Sequence, residues 1–236
     1  GGSSDNCGVA SISASTTTFG CTEVGANTVT LTVTDIYGNT ASCDATVTVE
    51  DNVAPVAVCQ TITVQLDGSG NASIAGTDID GGSTDACGIA SWVASPDAFT
   101  CANHGANAVT LTVTDVNGNS SSCNTTVTVE DNVAPTSVCK NITVQLDASG
   151  NTSIIGEDVN DGSTDACGIA SYAVAPNAFT CSNVGGNPVV LTVTDIYGNA
   201  STCGATVTVE DNVAPVATCQ DITVQLDATG NGSLVA

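Results

Sequence analysis

Residues 109–135 read VTLTVTDVNGNSSSCNTTVTVEDNVAP and contain two strand-like segments separated by a turn. In the first segment Val109, Leu111 and Val113 alternate with threonines, and the second segment ends in the same kind of alternation. A period of two combined with many β-branched residues predicts half-buried β-strands. The sequence Asn117-Gly118 between the segments favours a tight turn. The stretch therefore predicts a β-hairpin that leads into a short segment ending at a proline.

The chain repeats this pattern at a constant spacing. The sequence TVTVEDNVAP occurs at 46–55, 126–135 and 206–215, so one unit of sequence recurs along the chain. The proline of each copy predicts a short, stiff linker, and consecutive units are therefore expected to stack into a rod. We divide the 236 residues into a C-terminal part of a repeat, two complete repeats and an N-terminal part of a repeat, which span 1–50, 51–130, 131–210 and 211–236.

Each unit is predicted to fold as a small β-sandwich. Six or seven short strands fit into one complete unit, turn signals separate them, and no long segment has helical periodicity. A domain of this size with at most one Trp has a small core, so covalent staples are expected. Each complete unit contains four cysteines. The predicted fold class is all-β, a tandem series of antiparallel β-sandwiches.

The composition excludes several classes of function. Twenty-four Asp and Glu against one Lys or Arg give a formal net charge of -23, which disfavours binding to nucleic acid and to anionic membrane surfaces. No apolar run approaches the roughly 20 residues of a membrane span, so no membrane insertion is predicted. The only histidine, His104, stands where the other units have Val24 and Val184, which argues against a catalytic triad. Twelve cysteines indicate an oxidising, extracellular setting.

The motifs of the repeat resemble a known family. VTLTVTDxxGNxxxC followed by xTVTVEDNVAPxxxCQxITVQLD is similar to hyalin-type (HYR) repeats, and most similar to those of giant gliding-motility surface adhesins of Bacteroidota. The resemblance covers nearly the whole chain and carries over no catalytic residue. It implies immunoglobulin-like sandwiches in an extracellular array on the bacterial cell surface. We therefore predict that the chain is not an enzyme.

The cysteine spacing predicts two kinds of disulfide. Cys87 and Cys101 flank a segment that we interpret as a hairpin, so they are predicted to pair with each other. If the first and last strands run parallel, Cys59 and Cys123 meet at one end of the sandwich, although the alternation then requires a bulge. The equivalent predicted pairs are Cys7–Cys21, Cys167–Cys181 and Cys139–Cys203. The alternative is a bridge across each unit boundary, which joins Cys43 to Cys59, Cys123 to Cys139 and Cys203 to Cys219.

The acidic residues of the loops predict calcium sites at the unit junctions. In an immunoglobulin-like path, the loop after the second strand and the last hairpin turn share the end at which the domain begins. Their carboxylates and those of the linker would offer the six to eight oxygen ligands that Ca²⁺ takes, and the linker resembles the calcium-binding DxNDNAP stretch of cadherins. Asp and Asn are also ordinary turn residues that need no metal. The predicted ligands are Glu50, Asp51, Asn52, Asp78, Asp80, Asp85 and Asp115 at one junction, and Glu130, Asp131, Asn132, Glu157, Asp158, Asn160, Asp161, Asp165 and Asp195 at the next.

Two functions of different classes fit these observations. The first is structural: a disulfide-stapled stalk or filament of a bacterial surface adhesin, stiffened by Ca²⁺. The second is an adhesive module that binds a surface glycan or another surface directly through its exposed Thr- and Ser-rich faces or loops. The loops of the units are close copies of one another, whereas a binding site is expected to diversify its loops. This similarity favours the structural function.

The two end parts each need a partner. Residues 211–236 supply only the first strands of a unit and residues 1–50 only the later ones, so each part would expose a sheet edge. In one long polypeptide the neighbouring repeat covers it, and Cys219 pairs with a cysteine of that repeat at the same spacing as Cys59 and Cys123. In a fibre of identical chains, the end of one copy completes the start of the next by strand donation, and Cys219 meets Cys43 of that copy.

Overall fold

The computed structural model describes residues 2–234, most of which lie in β-strands or in the loops that join them. Residues 1, 235 and 236 belong to the predicted end parts and lie outside the described residues. Within residues 2–234, helical structure is limited to single turns, at Cys21–Glu23, Gly76–Ile79, Cys101–Asn103, Gly156–Val159 and Cys181–Asn183. The strands are β1 (Val9–Ala14), β2 (Gly25–Asp35), β3 (Thr40–Val49), β4 (Ile62–Gln65), β5 (Asn71–Ser73), β6 (Ile89–Ser95), β7 (Ala98–Thr100), β8 (Gly105–Asp115), β9 (Ser120–Glu130), β10 (Ile142–Gln145), β11 (Asn151–Ser153), β12 (Ile169–Ala175), β13 (Ala178–Thr180), β14 (Gly185–Asp195) and β15 (Ala200–Glu210).

The repeat 51–130 forms two sheets. One sheet has the strand order β4-β9-β8-β6, and the other consists of β5 and β7. β4 runs parallel to β9, with Ile62 opposite Val127, and the other pairs are antiparallel. Strands that are close in sequence thus alternate between two sheets, as in immunoglobulin-like sandwiches. The predicted all-β fold of tandem immunoglobulin-like domains is confirmed.

The core of this repeat lies between its two sheets. Every second residue of the hairpin formed by β8 and β9 points inward, so that Leu111, Val113, Val127 and Val129 are all 0% exposed. Phe99 from the opposite sheet is 1% exposed. Burial of a side chain of this size contributes roughly 1.5 to 3 kcal/mol. The alternation that predicts the strands is therefore also what fills the core.

A second compact unit begins at Ala134, within the segment predicted to be a linker. Described by itself, it repeats the same topology, with the strand order β10-β15-β14-β12 and a second sheet of β11 and β13. The parallel pair β10–β15 places Ile142 opposite Val207, the same register as in the preceding repeat. The boundaries after residues 50 and 210 stay predictions.

The end parts contain fewer strands. Within residues 2–50, β1, β2 and β3 form a three-stranded antiparallel sheet. Residues 211–234 contain no strand and are exposed throughout. No helix in the described residues 2–234 has the length and apolar character needed to cross a membrane.

The segment 89–100 does not form the predicted hairpin. β6 pairs with β8, whereas β7 pairs with β5 in the other sheet, so the chain changes sheets between Ser95 and Ala98 instead of folding back. Ile89 lies opposite Asp115 at one end of β8, and residue 101 leads into the other end of β8 at Gly105. Ten residue steps of extended strand correspond to about 33 Å. Cys87 and Cys101 therefore lie at opposite ends of the domain.

Candidate functional site at the repeat junction

A disulfide joins the first part-repeat to the following repeat. Cys21 bonds to Cys87, with a Cα–Cα distance of 5.1 Å and a sequence separation of 66 residues. Cys21 opens the helical turn that precedes β2, and Cys87 lies two residues before β6. The predicted pair Cys87–Cys101 is wrong, because the intervening segment runs the length of the domain. The predicted pair Cys7–Cys21 is wrong for the same reason.

The second kind of predicted disulfide is formed in both complete repeats. Cys59 bonds to Cys123 and Cys139 bonds to Cys203, and in both cases 64 residues separate the partners. No bulge is needed, because Cys59 is not part of strand β4 but makes an isolated bridge to Asp80. The alternative pairs across the boundary, such as Cys123–Cys139, are therefore not formed.

The remaining cysteines fall into two groups. Cys101 and Cys167 are disulfide-bonded. The cysteines with free thiols are all exposed; these cysteines are Cys7, Cys43, Cys181 and Cys219. The predicted pair Cys167–Cys181 is wrong because Cys181 is among them.

Three carboxylates meet next to the inter-repeat disulfide. Ligand oxygens of Asp51, Asp85 and Asp115 all lie within 4.8 Å of one another. Asp51 comes from the linker, Asp85 from the loop that carries Cys87, and Asp115 from the end of β8. These three are the predicted calcium ligands that the fold brings together. We call them the junction carboxylates.

Each junction carboxylate is held in place by backbone donors. Asp85 Oδ1 accepts hydrogen bonds from the N–H groups of Cys87 at 2.8 Å and Gly88 at 3.0 Å. Asp115 Oδ1 accepts from the N–H groups of Asn117 and Asn119. Asp51 Oδ1 accepts from Val53 N–H at 3.0 Å. The backbone N–H groups of the turns therefore occupy Oδ1 of each carboxylate and fix its direction.

Asn119 ties the linker to the hairpin, a role that the sequence analysis missed. Its Nδ2 donates to Asp115 Oδ2 at 2.8 Å and to the main-chain oxygen of Asp51 at 2.9 Å. The hydroxyl of Ser121 donates to the main-chain oxygen of Pro55 at 2.6 Å. The recurrence of Gly-Asn after each TVTD motif is the signal that would have pointed to Asn119.

One oxygen atom of the cluster lacks a hydrogen-bond donor. Asp51 Oδ2 is buried and accepts no hydrogen bond. Buried oxygens without a partner are costly, and carboxylates this close repel one another. A hard cation would relieve both costs, and carboxylate and amide oxygens are the ligands that Ca²⁺ prefers. The residues present thus fit a calcium ion.

The local hydrogen bonds keep the buried carboxyl groups ionised. Burial raises the pKa of Asp115, but the Asn119 side chain and the backbone N–H groups around the turn outweigh it, so the pKa lies below its usual value. Asp195, at the equivalent position of the second unit, has a lowered pKa for the same reasons. Both side chains are almost fully buried, at 2% and 1% exposure. They therefore present negative charge inside the protein at neutral pH.

Other predicted ligands of the first junction lie elsewhere. Asp78 caps its own helical turn by accepting the N–H of Ala75, and Asp80 accepts hydrogen bonds from Ser83. The turn 76–79 packs near the middle of β6, so these two carboxylates are not part of the junction cluster, and their predicted convergence is wrong. Glu50 accepts a 3.3 Å hydrogen bond from Asn52, and both side chains are exposed.

The ligands predicted for the next junction adopt matching local structures. Asp165 accepts the N–H groups of Cys167 and Gly168 as Asp85 does, and Asp195 accepts those of Tyr197 and Asn199. Asp131 is buried, and its Oδ1 accepts the N–H of Val133. Among the other predicted ligands, Glu130 and Asn132 form hydrogen bonds with Gln65, and Asp158 and Asn160 accept hydrogen bonds within their own loops. Glu157 and Asp161 are exposed.

The chain was compared with protein families, curated proteins and solved structures. No protein-family model matches the chain, and no curated protein sequence matches it. Among solved structures, protocadherin gamma C5 EC1-3 is similar with 12% identity and a TM-score of 0.37, over 80% of this chain and 78% of that one. Mouse clustered PcdhgC3 EC1-3 shares 14% identity with a TM-score of 0.35, over 79% and 77%.

Two further solved structures extend the comparison. A three-immunoglobulin-domain structure of titin shares 9% identity with a TM-score of 0.34, over 78% of this chain and 75% of that one. The four-domain protocadherin gamma B7 structure shares 12% identity with a TM-score of 0.35, and this chain covers 59% of its length. The fold assignment rests on the strand pairing described above, which defines tandem immunoglobulin-like β-sandwich domains.

Proposed function

We propose that the chain is a structural segment of an extracellular repeat array, the stalk or filament of a bacterial surface adhesin of the hyalin-repeat type. The Cys21–Cys87 disulfide carries this proposal, because it fixes one repeat to the next beside their linker. A module that binds its target alone needs no covalent bond to its neighbour. In an array that transmits load along its length, such a bond limits how far the chain between its two cysteines can extend.

The composition and the fold support an extracellular structural role. Eight of the twelve cysteines are disulfide-bonded, which requires an oxidising compartment. The features that recur from unit to unit are the bridges, the linker and its carboxylates, and these serve the connection between units. The stalk is therefore preferred to the glycan-binding module.

Calcium is the second part of the proposal. The junction carboxylates would hold one Ca²⁺ between the linker and two loops of the repeat, and the buried Asp51 Oδ2, which accepts no hydrogen bond, would be one of its ligand atoms. The ion would neutralise the repulsion among the three aspartates and fix the linker against both loops. It supplies no chemistry other than this cross-link.

Thermal unfolding of the oxidised chain in chelator and in millimolar Ca²⁺ tests the metal. A ligand present at 100 times its Kd stabilises the folded state by about 2.7 kcal/mol, so Ca²⁺ is expected to raise the Tm by several degrees. Asp85→Asn keeps an oxygen for the two backbone donors but removes a charge, and it should reduce this rise. Asp97→Asn is the matched control, because Asp97 is exposed and the next repeat has Asn177 at this position. An equal rise in both variants, or no rise in the unmodified chain, contradicts the site.

Immunogold labelling of cells that produce the protein tests the stalk. Antibodies against the repeat 51–130 are expected to label surface fibres at intervals along their length. Label confined to fibre tips would instead support an adhesive module and overturn the structural assignment.

A further inference from the structure

The Cys21–Cys87 bridge ends in the loop that carries one of the junction carboxylates. Asp85 lies two residues before Cys87, and its Oδ1 atom accepts the Cys87 N–H at 2.8 Å. From the other side of the bridge, Cys21 Sγ lies 3.5 Å from the main-chain oxygen of Ala86, the residue between Asp85 and Cys87. One sulfur atom of the bridge therefore belongs to the loop that holds Asp85, and the other packs against its backbone.

The other end of the bridge stands beside the strand that leads into the linker. Cys21 opens the helical turn that leads into β2. The first residue of β2, Gly25, lies opposite Val49, the last residue of β3. Asp51 follows two residues later along the chain. The bridge therefore joins the strand pair that leads to Asp51 to the loop that carries Asp85.

A calcium ion on the junction carboxylates would cross the same gap. It would tie Asp51 to Asp85, whose ligand oxygens lie within 4.8 Å of each other and of those of Asp115. The ion and the disulfide thus close one ring, which runs from Cys21 across to the end of β3, through the linker and on to Cys87. Closing a ring restricts its conformations, so the first cross-link to form lowers the entropy cost of the second.

Hydrogen bonds hold the linker near the loops when the bridge is open. The main-chain oxygen of Asp51 accepts from Asn119 Nδ2 at 2.9 Å. Val56 exchanges two backbone hydrogen bonds with Thr84, the residue before Asp85. Such bonds exchange with water during local opening, whereas a disulfide does not. The open form therefore keeps the three carboxylates near one another but fixes them less well than the bridged form.

We propose that the Cys21–Cys87 disulfide is a positioning element of the calcium site, and that the ion and the bridge stabilise each other. This inference rests on the proposed function, because it requires the junction carboxylates to bind Ca²⁺. Couplings between linked sites typically correspond to factors of about 5 to 150. Linkage requires one factor in both directions: the bridge raises the affinity for Ca²⁺, and Ca²⁺ raises the equilibrium constant for forming the bridge.

Opening of the bridge is a thiol–disulfide exchange. Two molecules of glutathione supply two electrons and two protons, Cys21 and Cys87 become thiols, and one molecule of oxidised glutathione is released. Ca²⁺ takes no part in the electron transfer. It favours the bridged form by mass action, because it binds that form more tightly than the open one.

Isothermal titration calorimetry of the whole oxidised chain with CaCl₂ tests the first direction. Cys21→Ser with Cys87→Ser should raise the Kd for Ca²⁺ about 5- to 150-fold. Cys59→Ser with Cys123→Ser is the matched control, because it removes a loop of 64 residues, against 66, whose ends lie outside the loop of Asp85. Its Kd should stay within about twofold of that of the unmodified chain. Both variants are compared at a temperature at which circular dichroism shows them to be folded.

Redox equilibration tests the other direction. The oxidised chain, with its free thiols alkylated beforehand, is equilibrated in glutathione buffers that contain either chelator or saturating Ca²⁺, and the Cys21–Cys87 peptide is then quantified by mass spectrometry. The ratio of squared glutathione to oxidised glutathione concentration at half reduction should be higher in Ca²⁺, by the same factor as the change in Kd. Asp85→Asn should reduce this shift, whereas the exposed Asp97→Asn should not.

The outcomes separate this inference from the calcium site itself. Equal Kd values for the unmodified chain and for Cys21→Ser with Cys87→Ser overturn the coupling and leave the calcium site standing. An equal rise of the Kd in both double variants, or a half-reduction ratio that Ca²⁺ does not change, also overturns it. If the unmodified chain binds no Ca²⁺ in calorimetry, the proposed calcium site fails and this inference fails with it.

Discussion

Two interleaved disulfide loops span the junction between the first part-repeat and the repeat 51–130. The Cys21–Cys87 loop has a sequence separation of 66 residues and the Cys59–Cys123 loop one of 64, and they overlap between residues 59 and 87. Two covalent routes therefore lead from Cys21 to Cys123. One crosses to Cys87 and follows the chain from there to Cys123, and the other follows the chain from Cys21 to Cys59 and crosses there. The two routes are almost equal in length.

This overlap predicts that either bridge alone limits the extension of the chain. Removing one bridge leaves the other route, which is nearly as short, whereas removing both leaves the whole chain from Cys21 to Cys123. The gain over the native route then equals the length of the Cys21–Cys87 loop, 66 residues. Such a segment corresponds to about 220 Å of extended chain. Load is therefore carried by two parallel covalent routes across the junction.

Single-molecule stretching of the oxidised chain by its ends measures this directly. Cys21→Ser with Cys87→Ser, and separately Cys59→Ser with Cys123→Ser, should leave the final contour length within about 15 Å of the unmodified chain. The variant with all four substitutions should gain about 220 Å. If Cys87 were instead bonded to Cys101, removing Cys59–Cys123 alone would lengthen the chain by about 170 Å. A gain of that size in this variant would refute the interleaved arrangement.

Three further outcomes follow from the packing and the hydrogen bonds. Gly76→Ala should destabilise its repeat by about 1 to 3 kcal/mol in denaturant titration, because the new Cβ would lie 2.5 Å from main-chain atoms of β6. Gly204→Ala is the control and should be neutral, because no atom lies within 4 Å of the new Cβ. Asp195→Ala should cost about 1 to 3 kcal/mol at pH 7 by leaving buried donors unpaired. The pKa of Asp195 is lowered in the folded state, so the stabilisation by its carboxylate is present above the ordinary pKa of about 3.9 and disappears as the pH falls through the folded pKa. The Asp195→Ala variant should therefore lose less stability than the unmodified chain on acidification below about pH 4. Equal acid sensitivity of the two proteins would contradict this role. Removal of Cys139–Cys203 by serine substitution should cost about 2 to 5 kcal/mol in calorimetry, and an unchanged Tm would speak against the bond.

The strands that could be predicted are those long enough to show a period. β8 and β9 each extend over 11 residues, so the alternation fixes both their type and the face that each residue presents. β7 has only three residues, too few to show a period or to reveal that the chain has changed sheets. The hairpin interpretation, and with it the Cys87–Cys101 pair, failed at this point.

The candidate site was predicted in part. Asp51 and Asp115 adjoin a linker and a hairpin turn whose positions follow from the repeat, so their convergence could be anticipated. Asp78 and Asp80 lie in the segment between the strands, and nothing in the sequence shows that this segment folds back along the sheet before it reaches Asp85. The contact of Asn119 with the linker depends on a main-chain oxygen, which no residue pattern encodes.

The interleaved bridges also set a requirement for biosynthesis. Each of the three described bridges passes over two intervening cysteines; for Cys21–Cys87 these are Cys43 and Cys59. A chain that is oxidised in the order in which it is exported joins neighbouring cysteines first, and such bonds must then be exchanged by thiol attack over seconds to hours. Maturation of the repeats therefore includes a thiol–disulfide exchange step, and a thiol donor or a disulfide isomerase on the export route would accelerate it.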